Sequence, residues 1–193
     1  MMTHLHALDS YVLSVLPQKL SGSFILDVGC GRGEWGSLLR ARKERLHLVG
    51  VDIWRPHLRR LCKRKVYDEL IQIKAPKLPF KDKSFDISLA CEILEHLDKD
   101  DGYELLKELE RISRKMIVVS TPMNWFQTEI YGNSYERHVS KWRPQEFTSL
   151  GFKVMTISSI SGLQRPKILS KVIMRFLYRF PQVDLIIAHK TFG

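Results

Sequence analysis

The stretch DVGCGRGEWG, from Asp27 to Gly36, places four glycines within eight positions directly after the apolar run Phe24-Ile25-Leu26. Glycines let backbone approach a ligand where any side chain would collide, and the helix predicted to follow presents unpaired N–H groups at its start. Gly31 to Gly36 fits G-x-G-x-x-G. Asp52 lies about 20 residues on, where a dinucleotide fold keeps its ribose carboxylate, so a nicotinamide cofactor is one candidate. The predicted strand ends at Val28, however, so the aligned pattern becomes Asp27-x-Gly29-x-Gly31-x-Gly33. Asp27 then stands at the strand tip, where a carboxylate repels a pyrophosphate and attracts an ammonium group. The ligand required has a ribose, an amino group and no phosphate.

A second set of chemical residues lies farther along. In CEILEHL, Glu92, Glu95 and His96 follow the fourth predicted strand, and YERHVSKWRP brings His138 into a loop after the fifth. Ionisable groups gathered at one cleft are candidates for a functional site. Glu92 and Glu95 are three apart, so one helical turn puts both on a common face with His96 adjacent. His96, His138 and Glu95 are the candidate catalytic residues, a histidine acting as general base or orienting an acceptor. As a metal set, Glu92, Glu95, His96 and His138 offer oxygen ligands that suit magnesium or manganese, while the two imidazoles also admit zinc or iron.

The elements that must carry these residues alternate along the chain. Predicted strands are Phe24–Val28, Leu46–Val51, Leu70–Lys74, Phe85–Cys91, Lys115–Ser120, Phe152–Ser158 and Val183–His189. Predicted helices between them are Trp35–Lys43, Pro56–Lys65, Gly102–Ser113, Pro144–Leu150 and Lys167–Arg179, preceded by an N-terminal helical segment over 1–22. This alternation gives an α/β fold: one doubly wound domain over 1–193, with a mainly parallel seven-stranded sheet covered by helices on both faces and ligands at the strands' carboxyl ends. Leu105, Leu106, Leu109 and Ile112 form a core stripe at helical spacing. Cys30 is expected to be a packing residue whose thiolate Asp27 disfavours, Trp35 to anchor the first helix after the loop, and Asp86 to bond backbone amides.

The 193 residues carry 31 Lys and Arg against 21 Asp and Glu, a formal charge of +10, with 44% hydrophobic and 27% charged residues, values of a globular chain. Three widely separated cysteines without a C-x-x-C pair imply reduced thiols and a cytoplasmic setting. The N-terminus has no signal-peptide pattern, and no stretch reaches the roughly 20 apolar residues of a membrane span. The basic run RPHLRRLCKRK reads as a solvated helix face. A second basic stretch, over 163–181, has Lys167, Lys171, Arg175 and Arg179 at four-residue intervals beside Ile168, Leu169, Val172, Ile173, Phe176 and Leu177. It is predicted to be a basic amphipathic helix inserted before the last strand. It packs on the domain, closes over the cleft, or makes peripheral contact with a membrane surface through 165–180.

From Asp27 to about Val154 the sequence resembles the Rossmann-like class I S-adenosylmethionine-dependent methyltransferases, particularly the type-11 group. ILDVGCGRG is similar to the first motif, VGVDI to the second, and LPFKDKSFDISLACEILEHL to the segment that crosses the methyl-transfer cleft. The resemblance implies S-adenosylmethionine as cofactor, with Asp52 on the ribose hydroxyls and Asp27, Gly29, Cys30, Gly31, Gly33, Ile53, Lys74, Ala75, Leu78 and Cys91 in the binding region. One position departs: the family has Asp-Ala where this chain has Lys74-Ala75, and an ammonium cannot accept the hydrogen bond of the adenine amino group. A backbone carbonyl or packing against Ile53 and Leu78 must substitute.

Glu-x-x-Glu-His with a later His also resembles two narrower groups, the small-RNA 2′-O-methyltransferases and the ubiquinone-pathway O-methyltransferases, in which these side chains hold a divalent cation against substrate hydroxyls. The resulting expectation is O-methylation of a small-molecule, glycan or lipid-precursor hydroxyl. RNA 2′-O-methylation is the alternative, and a non-catalytic cofactor-binding partner module the second alternative.

Overall fold

The computed structural model describes residues 2–124, 127–129, 132–157 and 184–193, with side chains from Leu8 onward. Its elements in chain order are α1 (Met2–Val15), β1 (Phe24–Val28), α2 (Glu34–Ala41), β2 (His47–Asp52), α3 (Arg55–Arg64), β3 (Glu69–Gln72), β4 (Phe85–Cys91), α4 (Lys99–Ile112), β5 (Ser113–Pro122), α5 (Pro144–Ser149), β6 (Lys153–Ile157) and β7 (Leu185–Thr191). Short 3-10 turns lie at Leu94–His96 and Ser134–Glu136.

The strands form one sheet in the order β3-β2-β1-β4-β5-β7-β6. β3, β2, β1, β4 and β5 run parallel, and β7 enters antiparallel to both β5 and β6. Strand order reverses between β1 and β4, the place where such sheets open a crevice at their carboxyl ends. β4 is buried along its whole length, because helices cover both faces and leave no position facing water.

Alternation along the strands divides the core in two. Ile25, Leu48, Ile87, Leu89 and Val118 face Val12 of α1, Leu39 of α2 and Leu58 and Leu61 of α3. Leu26, Val49, Val51, Ala90 and Val119 face Leu105, Leu106, Leu109 and Ile112 of α4 and Phe147 of α5. Asp86 accepts the backbone N–H of Phe24 at 2.9 Å and pairs with Arg114 and Lys115, a structural role that matches the sequence reading.

β1 and β4 have the bounds expected from the sequence. α4 begins at Lys99 and not at Gly102, because Asp98 caps it by accepting from the N–H of Asp101 at 2.9 Å, and two further carboxylates occupy its first turn. Gly102 is therefore a helix residue. Any Cβ there would collide with the ring of Trp142, which lies against the helix at that point. No helix among the described residues is long and apolar enough to cross a membrane. The predicted basic helix within 163–181 lies outside the described residues.

Candidate active site

The carboxyl ends of β1, β2 and β4 open onto a cleft of about 750 Å³. Its floor is the glycine loop. Gly29 N and Cys30 N both donate to the carbonyl of Val51, at 2.8 and 2.9 Å, tying the loop to β2. Gly29, Gly31 and Gly33 all have positive φ (73°, 49° and 80°), but only one faces open space. A Cβ on Gly29 would lie 2.7 Å from Ile93 and one on Gly33 would strike Leu61, whereas one on Gly31 meets nothing nearer than 3.7 Å. Two of these glycines thus serve packing, while the space beside Gly31 opens onto the cleft.

Asp52, at the tip of β2, is fixed on both oxygens: Oδ2 accepts from Gly31 N at 2.8 Å and Oδ1 from Trp54 N at 2.6 Å. His57 Nδ1 stands 3.5 Å from Oδ2. Each carboxylate oxygen keeps a further lone pair for a ligand. Ile53, Lys74, Ala75 and Leu78 line the cleft beside it with Ile73 and Leu97. Lys74 is exposed while Ala75 and Leu78 are buried, so this end of the cleft offers an apolar bed.

Asp27 and Gly33 do not reach the cleft wall. Asp27 sits behind the loop, 2% exposed, accepting at 2.5 Å from the hydroxyl of Tyr67, which itself accepts from Gly36 N. Its Oδ1 has no hydrogen-bond partner among the described residues. Burial weakens it as an acid, pushing its pKa up to about 7, with the Tyr67 hydrogen bond opposing and the charges of Asp52 and Glu34 adding. A buried carboxylate with an unused oxygen fits a cationic group on the loop's far side. Cys30 and Cys91 do line the cleft, but burial and the charge of Asp27 push both thiols far up, so they are packing residues.

At the other end the expected helical face of Glu92 and Glu95 does not form. Glu92 takes a left-handed backbone (φ 55°), so the two carboxylates diverge. Glu92 lines the cleft and accepts from Ser120 Oγ at 2.8 Å, and burial raises its pKa to about 7. Glu95 turns inward, 2% exposed, and accepts from Thr121 Oγ1 at 3.0 Å. Burial, with the charge of Glu92, holds its carboxyl well above the usual range.

His96 lines the cleft, and its ring meets that of His138 edge to face with centroids 4.9 Å apart. One ligand atom each from Glu95, His96 and His138 lie within 4.8 Å of one another, and this cluster does not include Glu92. His96 Nδ1 is 3.1 Å from the carbonyl of Arg137. A carbonyl only accepts, so Nδ1 carries the proton and the neutral ring keeps its lone pair on Nε2. Burial, with the neighbouring His138, lowers the basicity of His96.

Residues 137–142 form a strap sewn onto this turn. Val139 N and Ser140 N donate to the Glu95 carbonyl at 2.8 and 3.2 Å, and Ser140 Oγ and Trp142 Nε1 donate to the Leu94 carbonyl at 3.0 and 3.2 Å. Above the cleft, Tyr135 meets Trp54 edge to face at 6.4 Å, with Gln127, Asn133, Glu136 and Val139 completing the roof. Leu8 and Asp9 of α1 close the far end. Sequence reasoning missed these wall residues. Trp54 and His57 were open to inference from their place just past Asp52, but Leu8 and Asp9 come together with the loop only through tertiary packing. Although the chain is basic overall, Asp9, Glu34, Asp52, Glu92, Asp98, Asp101 and Glu136 outnumber Arg32 and Lys74 on the wall. Such a wall favours a cationic ligand.

Residues 26–116 match the sequence model of the family described as "Methyltransferase domain". An uncharacterized protein of Methanocaldococcus jannaschii is 29% identical over 172 residues, covering 83% of this chain and 72% of that protein. A tRNA (carboxymethyluridine(34)-5-O)-methyltransferase of Arabidopsis thaliana is 30% identical over 102 residues; the match takes in 52% of this chain but only 24% of that protein's length. Among solved structures, a SAM-dependent methyltransferase from Archaeoglobus fulgidus superposes with a TM-score of 0.61 at 22% identity, covering 96% of this chain and 94% of that one.

Proposed function

We propose that this chain, whose residues 26–116 match the methyltransferase-domain model, is a class I S-adenosylmethionine-dependent methyltransferase of the type-11 group and methylates a hydroxyl acceptor bound between the glycine loop and the His96 turn. The observation that carries this reading is His96: a neutral imidazole on the cleft wall, with Nδ1–H spent on Arg137 and Nε2 left as an acceptor. Bound S-adenosylmethionine supplies a methyl group on a positively charged sulfur, whose C–S bond breaks as the acceptor's O–C bond forms. Asp52 receives the ribose hydroxyls. Ile53, Ala75 and Leu78 pack against the adenine, which Lys74 cannot bind as an acceptor. The negative charge of Asp27 draws the ammonium group toward Gly29 and Gly31. His96 Nε2 takes the acceptor's proton, lowering the barrier that a hydroxyl's high pKa imposes. His138 and Glu95, behind His96, orient it.

A second reading has its own observation, the clustering of Glu95, His96 and His138 within reach of one divalent cation. These three would hold magnesium, manganese or a softer metal, which would lower the acceptor's pKa directly, and Glu95 would have to release its proton as the metal binds. The hydroxyl belongs to a small molecule, glycan or lipid precursor, or to RNA. A purely partner-binding role is opposed by the open space at Gly31 and the oriented Asp52.

Calorimetry with S-adenosylmethionine, followed by transfer of labelled methyl into fractionated cell extract, tests the proposal. Binding together with label in an alkali-stable ether supports it. A folded protein that binds no cofactor would overturn it in favour of the partner role.

A further inference from the structure

The outer face of α3 is densely basic. Leu58 and Leu61 turn inward and are buried, while Arg55, Arg59, Arg60, Lys63, Arg64 and the following Lys65 are all exposed. Several cations elsewhere have carboxylate partners: Arg40 with Asp68, Arg42 with Glu44, Lys99 with Glu146, Arg111 with Glu108, Lys190 with Glu110. Among the described residues, none of the six cations on and just after α3 is ion-paired with a carboxylate; Arg64 is held by the carbonyl of Arg32 and by Ser37 Oγ. Arg55 and Arg59, Arg59 and Lys63, and Arg60 and Arg64 are spaced four apart, so like charges repel along one face. An anionic partner would relieve that repulsion.

The position of the helix indicates what the partner does. Trp54 caps α3, and both Trp54 and His57 line the cleft, so the cationic face starts at the cleft mouth. There Trp54 and the half-exposed Tyr135 present aromatic surface. Inside, the wall is predominantly acidic, which keeps phosphate out while admitting an uncharged base or sugar. The same face lacks the apolar side chains that a bilayer-lying helix inserts, because both of its leucines are buried against the sheet. A flexible polyanion with stackable rings fits these features, and a lipid surface does not.

We propose that the exposed face of α3 binds the phosphate backbone of single-stranded RNA and that a nucleotide of this RNA passes Trp54 and Tyr135 into the cleft. This rests on the methyltransferase reading and deepens it by assigning the acceptor hydroxyl to RNA.

The test is fluorescence anisotropy with a labelled mixed-sequence RNA of about 16 nucleotides, titrated at several salt concentrations, on the full chain. The wild type is expected to bind at low salt and to weaken as salt rises. Arg59→Gln/Arg60→Gln/Lys63→Gln should bind about tenfold or more weakly and should flatten the slope of log affinity against log salt by about 2, at roughly 0.7 per phosphate contact for a single strand. A control with Lys81, Lys107 and Lys153 replaced by glutamine should stay within about twofold of the wild type, since electrostatic loss follows the contacts removed. No RNA binding by the wild type, equal binding by the α3 variant, or tighter binding to phosphatidylserine vesicles than to RNA would each overturn the proposal. Cofactor calorimetry on the same samples separates the two readings: RNA binding without cofactor binding sinks the methyltransferase reading and leaves the surface assignment standing.

Discussion

The indole Nε1 of Trp142 donates to the carbonyl of Leu94 at 3.2 Å, joining the strap to the turn that carries Glu95 and His96 across 48 residues of sequence. Trp142 is 1% exposed, and Lys99 Nζ stands 3.6 Å over its ring while pairing with Glu146. The turn holding His96 is thereby anchored to α4 and α5, outside the cleft.

Trp142→Phe deletes the donor and also removes one ring of a fully buried indole. The expected outcome is a stability loss of about 2–3 kcal/mol, the lost hydrogen bond plus the cavity, with turnover reduced several-fold and cofactor affinity unchanged. Thermal unfolding, calorimetry and single-turnover rates check the three parts. Unaltered turnover in the destabilised variant would show that the strap does not position His96.

His96→Ala should lower the rate by about 10²–10⁴-fold, the range for removal of a general base, with little change in cofactor affinity. Because burial and His138 lower the basicity of His96, it stays neutral and active to a pH below the ordinary imidazole value, and the rate is lost as pH falls through that lowered value. His138→Gln removes one lowering influence, so its acid limb should move to higher pH. Only the metal reading predicts loss of activity with EDTA and recovery on adding a cation.

Asp52→Ala removes a charge-assisted contact and is expected to cost about 1.5–3 kcal/mol of cofactor affinity by calorimetry. The glycine loop should separate by readout. Gly29→Ala drives a methyl group against Ile93 and should lower the melting temperature even without cofactor. Gly31→Ala fills open space and should weaken cofactor binding more than it weakens the fold, apart from about 1–2 kcal/mol of left-handed backbone strain.

The buried Asp27 gives a pH dependence of definite sign. Its folded value of about 7 lies above the ordinary 3.8, so between the two the folded chain holds a proton that the unfolded chain has released. Its contribution to stability is full below the lower value and is lost as pH rises through about 7. A cationic ligand favours the ionised form, so the rise in melting temperature caused by S-adenosylmethionine should grow between about pH 6 and about pH 8. Tyr67→Phe deletes the hydrogen bond that holds the value down, and should shift that growth to higher pH.

β1 and β4 were legible in the sequence because predominantly apolar runs end at glycine or at charge, and the residues at the tips of β1 and β2 followed from them. The pairing of His96 with His138 follows from topology, since loops after β4 and β5 meet above the same edge. The divergence of Glu92 from Glu95 was not legible: nothing in the local sequence marks a glutamate for left-handed backbone, and the conformation is held by bonds between Glu92 and Ser120 of the neighbouring strand. Asp27 stands at the expected strand tip, but strand alternation, which local sequence alone does not resolve here, turns its side chain toward Tyr67 and off the cleft wall.

The absence of a side chain at Gly102 makes α4 an instance where a routine stabilising change is expected to backfire. Glycine inside a helix costs roughly 1 kcal/mol relative to alanine, so thermostability engineering would replace it early. Here the gap seats the ring of Trp142, and a single added methyl group would push the indole away from Leu94. The helix would gain intrinsic propensity while the protein lost the mooring of its histidine turn.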